Sequence, residues 1–508
     1  MTERKRSSFI NMGVVCISYA IIMLGNFITR RACISILGMK MSGIEDSFSN
    51  IVNVLTMIEL GLSAGITYKL YKPIAEKNWD KVSSILNFLK RSYITISAIV
   101  LAMGLATSLF VGKIENLKKE NFSGAWLSGI FVLYIFDILA SYLFCHKRAM
   151  FIADQRFYVN KIVYTLCQIL MFGAQVTALY AFRSLELFLI CKIFFRAIES
   201  LVISWLFHRK YNYINLKTKE TIPADEKREL FTNIKALLFH KISGVCLDPA
   251  VRFMVLSCVD LGTNAIYGNY MKIALALTSV TNEIFSSLTA SFGNLLATSG
   301  KDRAYKNFKS LYLLNFFIYS FFTTAFFNII TPFMNVWIPE QNAVFGMHTT
   351  LALSIYIFIY GMKQSATMAK MSRGIYDPDK YLAVVGILIS FFSSYLLVKP
   401  FGITGVLIGY MIGSLSVPYW CQPYLVYSRI FQRSVKSYHI KFLLYASLTA
   451  VYMCVCYLIC RRFTFDNNFL QILFNAFVCF IIPGLFNLIF FFKTEEFNGL
   501  KNAIFKKK

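Results

Sequence analysis

Apolar runs of roughly 20 residues, separated by short polar and basic stretches, fill nearly the whole 508-residue chain. An α-helix of about that length crosses the ~30 Å hydrocarbon layer of a bilayer. The pattern predicts about fourteen spans, at 9–30, 46–68, 92–112, 125–145, 162–182, 185–206, 242–259, 270–297, 310–331, 345–368, 381–398, 402–425, 441–460 and 469–492. The period-two segments of about ten residues that mark a transmembrane β-barrel are absent. The chain therefore reads as an all-α integral membrane protein. The start, MTERKRSS, precedes an apolar run too long for the core of a signal peptide, so a retained first helix is expected.

Lysine and arginine crowd alternate loops. The clusters run from Arg4 to Arg6, Lys69 to Arg91, Lys147 to Lys161, Arg209 to Lys241, Lys301 to Lys309, Arg429 to Lys441 and Lys506 to Lys508. Basic loops stay on the cytoplasmic side, and an even span count returns the chain to the side it started from. Both termini are expected in the cytoplasm. Trp126, Trp205 and Trp337 fall near span ends, as interfacial anchors do.

The longest inner loop, 207–241, divides six spans from eight, and a repeat crosses it. ILGMKMSG followed by KNWDKVSSILNFLKRSYITIS has a partial counterpart in DLGTNAIYG followed by SGKDRAYKNFKSLYLLNFFIYS, so that Gly38 corresponds to Gly262 and Asp80 to Asp302. An even number of spans per copy gives both copies one orientation. The expected organisation is two pseudo-symmetric six-helix lobes, 1–206 and 242–425, joined by the linker 207–241 and enclosing a central cavity. Spans thirteen and fourteen, with the basic tail, occupy 426–508.

Composition sharpens the class. Hydrophobic residues make up 57% of the chain and charged residues 15%, far below the quarter typical of soluble domains. The net charge of +26 punctuates apolar runs, which points to topology control and anionic lipid contact rather than nucleic acid. Twelve cysteines lie scattered in apolar segments without zinc-site or disulfide spacing, and neither metal nor cofactor is expected. No P-loop, H-E-x-x-H or G-x-S-x-G motif occurs, and the outer loops are short. A transporter is expected over an enzyme.

Ionisable groups inside spans are expensive facing lipid and tend to line protein interiors or wet cavities. Glu59 has no charged neighbour one helical turn away, so its partner must come from another helix: Arg30 or Arg31, Arg252, Lys272 or Lys363. Asp248 precedes Pro249, where an interrupted helix would free a carbonyl for an ion. Arg196 and Glu199 are spaced to neutralise each other, with Lys192 one turn earlier, and Asp137 could bond a neighbouring helix. Cations outnumber carboxylates in this set, which suggests an anionic substrate. Tyr267, Asn269 and Tyr270 offer hydroxyl and amide groups suited to sugars. Gly405, Gly409 and Gly413 form a ladder for close helix approach, as do Gly61 and Gly65.

N-x-x-x-R at Asn26–Arg30, ILG at Ile36–Gly38, ELGL at Glu59–Leu62 and YKLYKPIAEKNWDKV at Tyr68–Val82 resemble the polysaccharide (O-antigen type) flippases of the multidrug/oligosaccharidyl-lipid/polysaccharide exporter superfamily. D-P-x-x-R-F followed by LG and YGNY, over Asp248–Tyr270, is similar to the same family's seventh and eighth helices. The resemblance implies a MATE-like bundle of fourteen helices in a bacterial inner membrane. It further implies export of an undecaprenyl-diphosphate-linked oligosaccharide repeat unit for O-antigen and lipopolysaccharide biosynthesis, beside glycan polymerase partners. On this reading Arg30, Arg31, Arg252, Lys272 and Lys363 receive the diphosphate, Tyr267, Asn269 and Tyr270 the sugars, and Glu59 and Asp248 couple a proton or monovalent cation. The competing classes are a drug or metabolite exporter of the same superfamily and a membrane glycan polymerase or ligase.

Overall fold

The computed structural model describes residues 3–505 except 57–61, 115–116, 118–121, 155, 217–246, 299, 340–342, 374 and 376–379. These residues form helices and no strands, and they fall into two compact units, Met1–Ala265 and Ile266–Lys508. The division lies beyond residue 242, where the repeat places the start of the second lobe. The helix that opens the second repeat is counted with the first unit because it packs on a helix near the chain's start.

The first unit contains α1 (Glu3–Leu37), α2 (Met39–Leu55), α3 (Leu62–Ala75), α4 (Trp79–Val111), α5 (Gly124–Tyr142), α6 (Cys145–Ala153), α7 (Phe157–Phe182), α8 (Leu185–Lys210) and α9 (Leu247–Cys258). Gly38 separates α1 from α2 at φ 86°, a left-handed backbone that glycine adopts without strain. The turn expected before residue 46 is thus a one-residue break, and α2 begins at once. Asn78 caps α4 by accepting the Lys81 amide at 3.0 Å, and Ser184 caps α8 by accepting that of Leu187 at 3.2 Å. Two apolar cores result. One gathers α3, the start of α4, α6 and the end of α8 around Leu70, Leu86, Phe151, Phe207 and Tyr211. The other gathers the end of α1, α2, the start of α5 and the start of α8 around Ile44, Phe48, Phe131 and Leu189.

The second unit takes in most of α10 (Leu261–Thr298), then α11 (Gly300–Trp337), α12 (Met347–Met362), α13 (Gln364–Ser372), α14 (Lys380–Ser416), α15 (Pro418–Leu425), a π-helical turn (Val426–Phe431), α16 (Lys436–Arg462), α17 (Asn468–Phe491) and α18 (Glu495–Phe505). α11 is its spine and touches α12, α13, α16, α17 and α18. An aromatic column fixes α16 on α11, with Tyr312 stacked on Tyr438 at 4.4 Å and Phe316 on Tyr445 at 4.2 Å. Asn475 of α17 donates to the Asn328 carbonyl at 2.8 Å, so the C-terminal pair is hydrogen-bonded into the bundle.

The glycine ladder packs as its spacing predicts, but within one folded segment. α14 breaks at Gly402, φ 55°, and its second half returns against its first. A Cβ on Gly405 would meet the Leu397 carbonyl at 1.9 Å, and one on Gly409 the Ser394 amide nitrogen at 2.2 Å. Backbone cannot yield cheaply there. Gly409→Ala is expected to cost at least about 1–3 kcal/mol by overpacking. Gly129→Ala, with nothing within 4 Å of the added carbon, should be neutral or stabilising. Thermal unfolding of the two purified variants checks this.

At the far end, Lys441 donates to Glu496 at 2.5 Å and Lys309 lies 3.4 Å away, tying α18 to α16 and α11. Burial pushes the Glu496 carboxyl up, but the Lys441 hydrogen bond and the two lysine charges outweigh it and hold it below its ordinary value. A depressed folded pKa gives stabilisation that is present above the unfolded value and lost as pH falls. Hydrogen-exchange protection of α18 should therefore drop as pH falls below about 4.5, the ordinary Glu value. Glu496→Gln should lower protection at pH 7 and remove that dependence.

Among the described residues, eight helices are individually long and apolar enough to cross a membrane: α1, α4, α5, α7, α11, α14 (read on through the π-helical turn), α16 and α17. The expected fourteen differ from this for physical reasons. α8 is long enough but carries Lys192, Arg196 and Glu199 along its middle, and α12 and α13 are shorter pieces of 16 and 9 residues. The chain is a multi-pass membrane protein.

Candidate functional site

Arg30, near the end of α1, is 3% exposed and surrounded by acceptors. It donates to Glu45 at 2.9 Å, Asp46 at 2.5 Å, the Ser42 carbonyl at 3.2 Å and the Ala265 carbonyl at 3.4 Å. Glu45 and Asp46 sit on the second turn of α2, within reach because Gly38 turns the chain directly into that helix. Ser47 of the same turn accepts from the Asn264 amide at 2.8 Å, and Gly43 lies against Leu261. Two carboxylates and two carbonyls thus hold the guanidinium that the sequence assigns to a diphosphate. Arg31, one residue on, is exposed. The doubled arginine resolves into one buried tie and one accessible cation.

Glu59 lies outside the described residues, as does the side chain of Asp248. Pro249 lies in the first described turn of α9, and the described residues of α9 continue to Cys258 without a break. Arg252, one turn later, is 5% exposed on the helix that packs against α2.

A second charged layer joins α5, α6 and α8 between the two apolar cores. Asp137 forms ion pairs with Arg196 at 2.7 Å and Lys192 at 3.1 Å, and Glu199 with Arg148 at 3.1 Å. Arg148 also donates to Ser200 at 3.0 Å and to the Ser141 carbonyl at 3.2 Å. The expected pairing of Arg196 with Glu199 along one helix is replaced by pairing across helices. Both carboxylates are under 10% exposed, where an inter-helix partner removes a larger penalty than a same-helix one. Arg148 escaped the sequence reading because it sits in a nominally cytoplasmic loop that the structure folds inward as α6.

In the second unit Lys363 occupies the junction between α12 and α13, 5.7 Å from the Tyr360 ring. The carbonyls on either side of this break are taken up by the bundle: Asn315 donates to Gly361 at 3.0 Å and Tyr438 to Met362 at 3.2 Å. Gln364 donates to Asn282 of α10 at 2.6 Å. Lys272 is half-buried on α10, ten residues before Asn282 and so about 15 Å along the axis. An interrupted helix thus carries a lysine at its break. Tyr267, Asn269 and Tyr270 are at most 3% exposed. The Tyr270 hydroxyl accepts the Phe345 amide at 3.0 Å and its ring packs on Phe326 and Phe345. That fixes the segment before α12, and the three groups assigned to sugars are buried in this structure.

Among solved structures, the chain is similar to the lipid II flippase MurJ in an inward closed conformation, with a TM-score of 0.66 over 95% of this chain and 99% of the flippase at 13% identity. It is also similar to an inward-facing multidrug resistance MATE family transporter of the MOP superfamily, with a TM-score of 0.59 over 80% and 94% at 14% identity. The chain has the fold of the MOP-superfamily transporters. The Vibrio cholerae MATE transporter VcmN agrees, with a TM-score of 0.56 over 85% and 98% at 12% identity. No protein-family profile and no curated protein matches the sequence. At these identities the likeness is one of fold, and no residue role passes with it.

Among the described residues no group of histidine, cysteine, aspartate and glutamate could hold a metal ion. Within the MOP fold this chain therefore carries two kinds of charge: buried pairs at Arg30 and Asp137, and less enclosed cations at Arg31, Lys272 and Lys363.

Proposed function

We propose that the protein is a flippase that moves an undecaprenyl-diphosphate-linked oligosaccharide from the cytoplasmic to the outer leaflet of a bacterial inner membrane by alternating access. The observation that carries this reading is coverage. The lipid II flippase is matched over 95% of this chain, whereas the MATE transporters are matched over 80% to 86%. The excess of cations among the intramembrane groups supports an anionic cargo. Arg31, Arg252, Lys272 and Lys363 are the groups assigned to the diphosphate, with Glu59 and Asp248 assigned to coupling by a proton or monovalent cation. O-antigen assembly, glycan polymerase partners, cytoplasmic termini and the absence of enzymatic activity belong to the same proposal.

The likeness to MATE transporters supports a second reading, export of a drug or metabolite. A deletion strain separates the two. The flippase reading expects lipid-linked repeat units trapped on the inner leaflet and loss of surface glycan, both restored by the wild-type chain. Normal surface glycan with altered drug tolerance would overturn it in favour of the exporter. Shortened polymer with normal translocation would assign the chain to polymerisation.

A further inference from the structure

The first turns of α11 and the amphipathic α18 border an open cavity of about 430 Å³ within the second unit. Arg303, Lys306 and Lys309 line it, with the amides of Asn307, Asn498 and Asn502. Glu495 and Glu496 also line it, so the charge accounting decides what the cavity can take. Glu496 is held by Lys441 at 2.5 Å and Lys309 at 3.4 Å, and Glu495 lies 3.7 Å from Lys309 while its side chain is 75% exposed. Those carboxylates account for Lys309. Arg303 and Lys306 have no ion-pair partner among the described residues, although Asp302 beside them is paired with Arg433 at 2.8 Å.

Two cations without an ion-pair partner among the described residues, beside three amides, supply the donor chemistry that phosphate oxygens use. The walls are fixed. Gly499 lies so close to Ser310 that a Cβ there would come within 2.2 Å of the serine hydroxyl. α18 thereby closes one side of the cavity against α11. The position on α11 selects the kind of anion. From Leu311 the helix continues as LYLLNFFIYSFF, part of a helix long and apolar enough to cross a membrane, so Arg303 and Lys306 lie one to two turns from where apolar sequence begins. Cations at that depth meet phosphates of the bilayer surface. On the same face two to three turns deeper, an apolar groove of about 690 Å³ is lined by Phe317, Phe321 and Ile284.

We infer that this cavity holds the phosphate-bearing headgroup of a membrane lipid, with Arg303 and Lys306 as the phosphate ligands. The site is separate from the groups assigned to the transported cargo and stands whether or not the flippase reading holds. Its occupant bridges α11 and α18, so lipid binding should reinforce the Glu496 tie.

The test uses the full-length protein in detergent and native mass spectrometry, with phosphatidylglycerol, diacylglycerol and inorganic phosphate as probes. Phosphatidylglycerol should bind, diacylglycerol should not, and Arg303→Ala with Lys306→Ala should weaken phosphatidylglycerol binding about tenfold or more, since two charge-assisted hydrogen bonds are lost. Asn502→Trp, which fills the cavity without removing a charge, should weaken it as well, while Lys301→Ala outside the cavity should not. The size-exclusion profile and melting temperature of each variant without lipid report its folding, and Asn502→Trp carries the test if the double variant fails to fold. Unchanged binding in a folded double variant or in Asn502→Trp would overturn the site. Inorganic phosphate binding as tightly as phosphatidylglycerol, or diacylglycerol binding equally well, would overturn the lipid headgroup as its ligand.

Discussion

Arg30→Ala is expected to cost the protein its stability before its transport can be assayed. The guanidinium is 2% exposed as a side chain, Asp46 8% and Glu45 24%. Removing the arginine takes from two carboxylates the cation that pairs with both, and the carbonyls of Ser42 and Ala265 lose a donor. Stranding one member of a buried ion cluster costs about 3–5 kcal/mol, a large share of what holds a domain together. The variant should be depleted from membranes and melt well below wild type. Arg31→Ala, at an exposed position, should stay within about 0.5 kcal/mol of it. Asp46→Asn added to Arg30→Ala should recover part of the loss, because it removes the charge the arginine was neutralising; the non-additivity of that cycle measures the tie directly. Thermal unfolding and membrane abundance are the readouts. If Arg30→Ala keeps its melting temperature and abundance yet loses surface glycan, Arg30 is a cargo ligand and the carboxylates are incidental.

That expectation reverses the one the sequence supports alone, and the reason is local. The apolar pattern shows where helices lie but not where α1 stops. Placing the second span at 46–68 left Glu45 and Asp46 at a span edge, where carboxylates look solvated. A single left-handed glycine at Gly38 instead starts α2 at Met39 and turns both carboxylates onto Arg30. The same limit applies to Asp137. Its presence in a span was legible, and so was its need for a partner, but partners across helices are set by packing that sequence spacing does not encode. Features that depend on one segment alone read well. The ladder at Gly405, Gly409 and Gly413 does pack backbone to backbone, since its spacing and its contact surface belong to one folded stretch. The contact of Tyr270 with Phe345 was not legible, because an aromatic residue at a span end looks the same whether it faces a cavity or seals a loop.

Asp137→Ala should be the most damaging change in the charged layer of the first unit. Asp137 is the sole carboxylate within ion-pair distance of either Lys192 or Arg196 among the described residues. Its removal leaves two cations, each with about a quarter of its side chain exposed, repelling one another between apolar cores. The penalty is again of the order of 3–5 kcal/mol for a buried charge that loses its partner, seen as a drop of several degrees in melting temperature. Glu199→Gln should cost less, because Arg148 keeps the Ser200 hydroxyl and the Ser141 carbonyl and the glutamine can still accept. The decisive variant removes the whole group. Asp137→Leu with Lys192→Met and Arg196→Leu takes three charges out of an apolar layer together and should recover most of the stability that Asp137→Ala loses, since apolar replacements of a buried cluster are often neutral or better. A triple variant that folds but no longer translocates would give the layer a part in transport. One that folds and translocates would make it a helix-pairing device. An Asp137→Ala protein as stable as wild type would mean that Lys192 and Arg196 reach water, and the buried-pair account of this layer would fail.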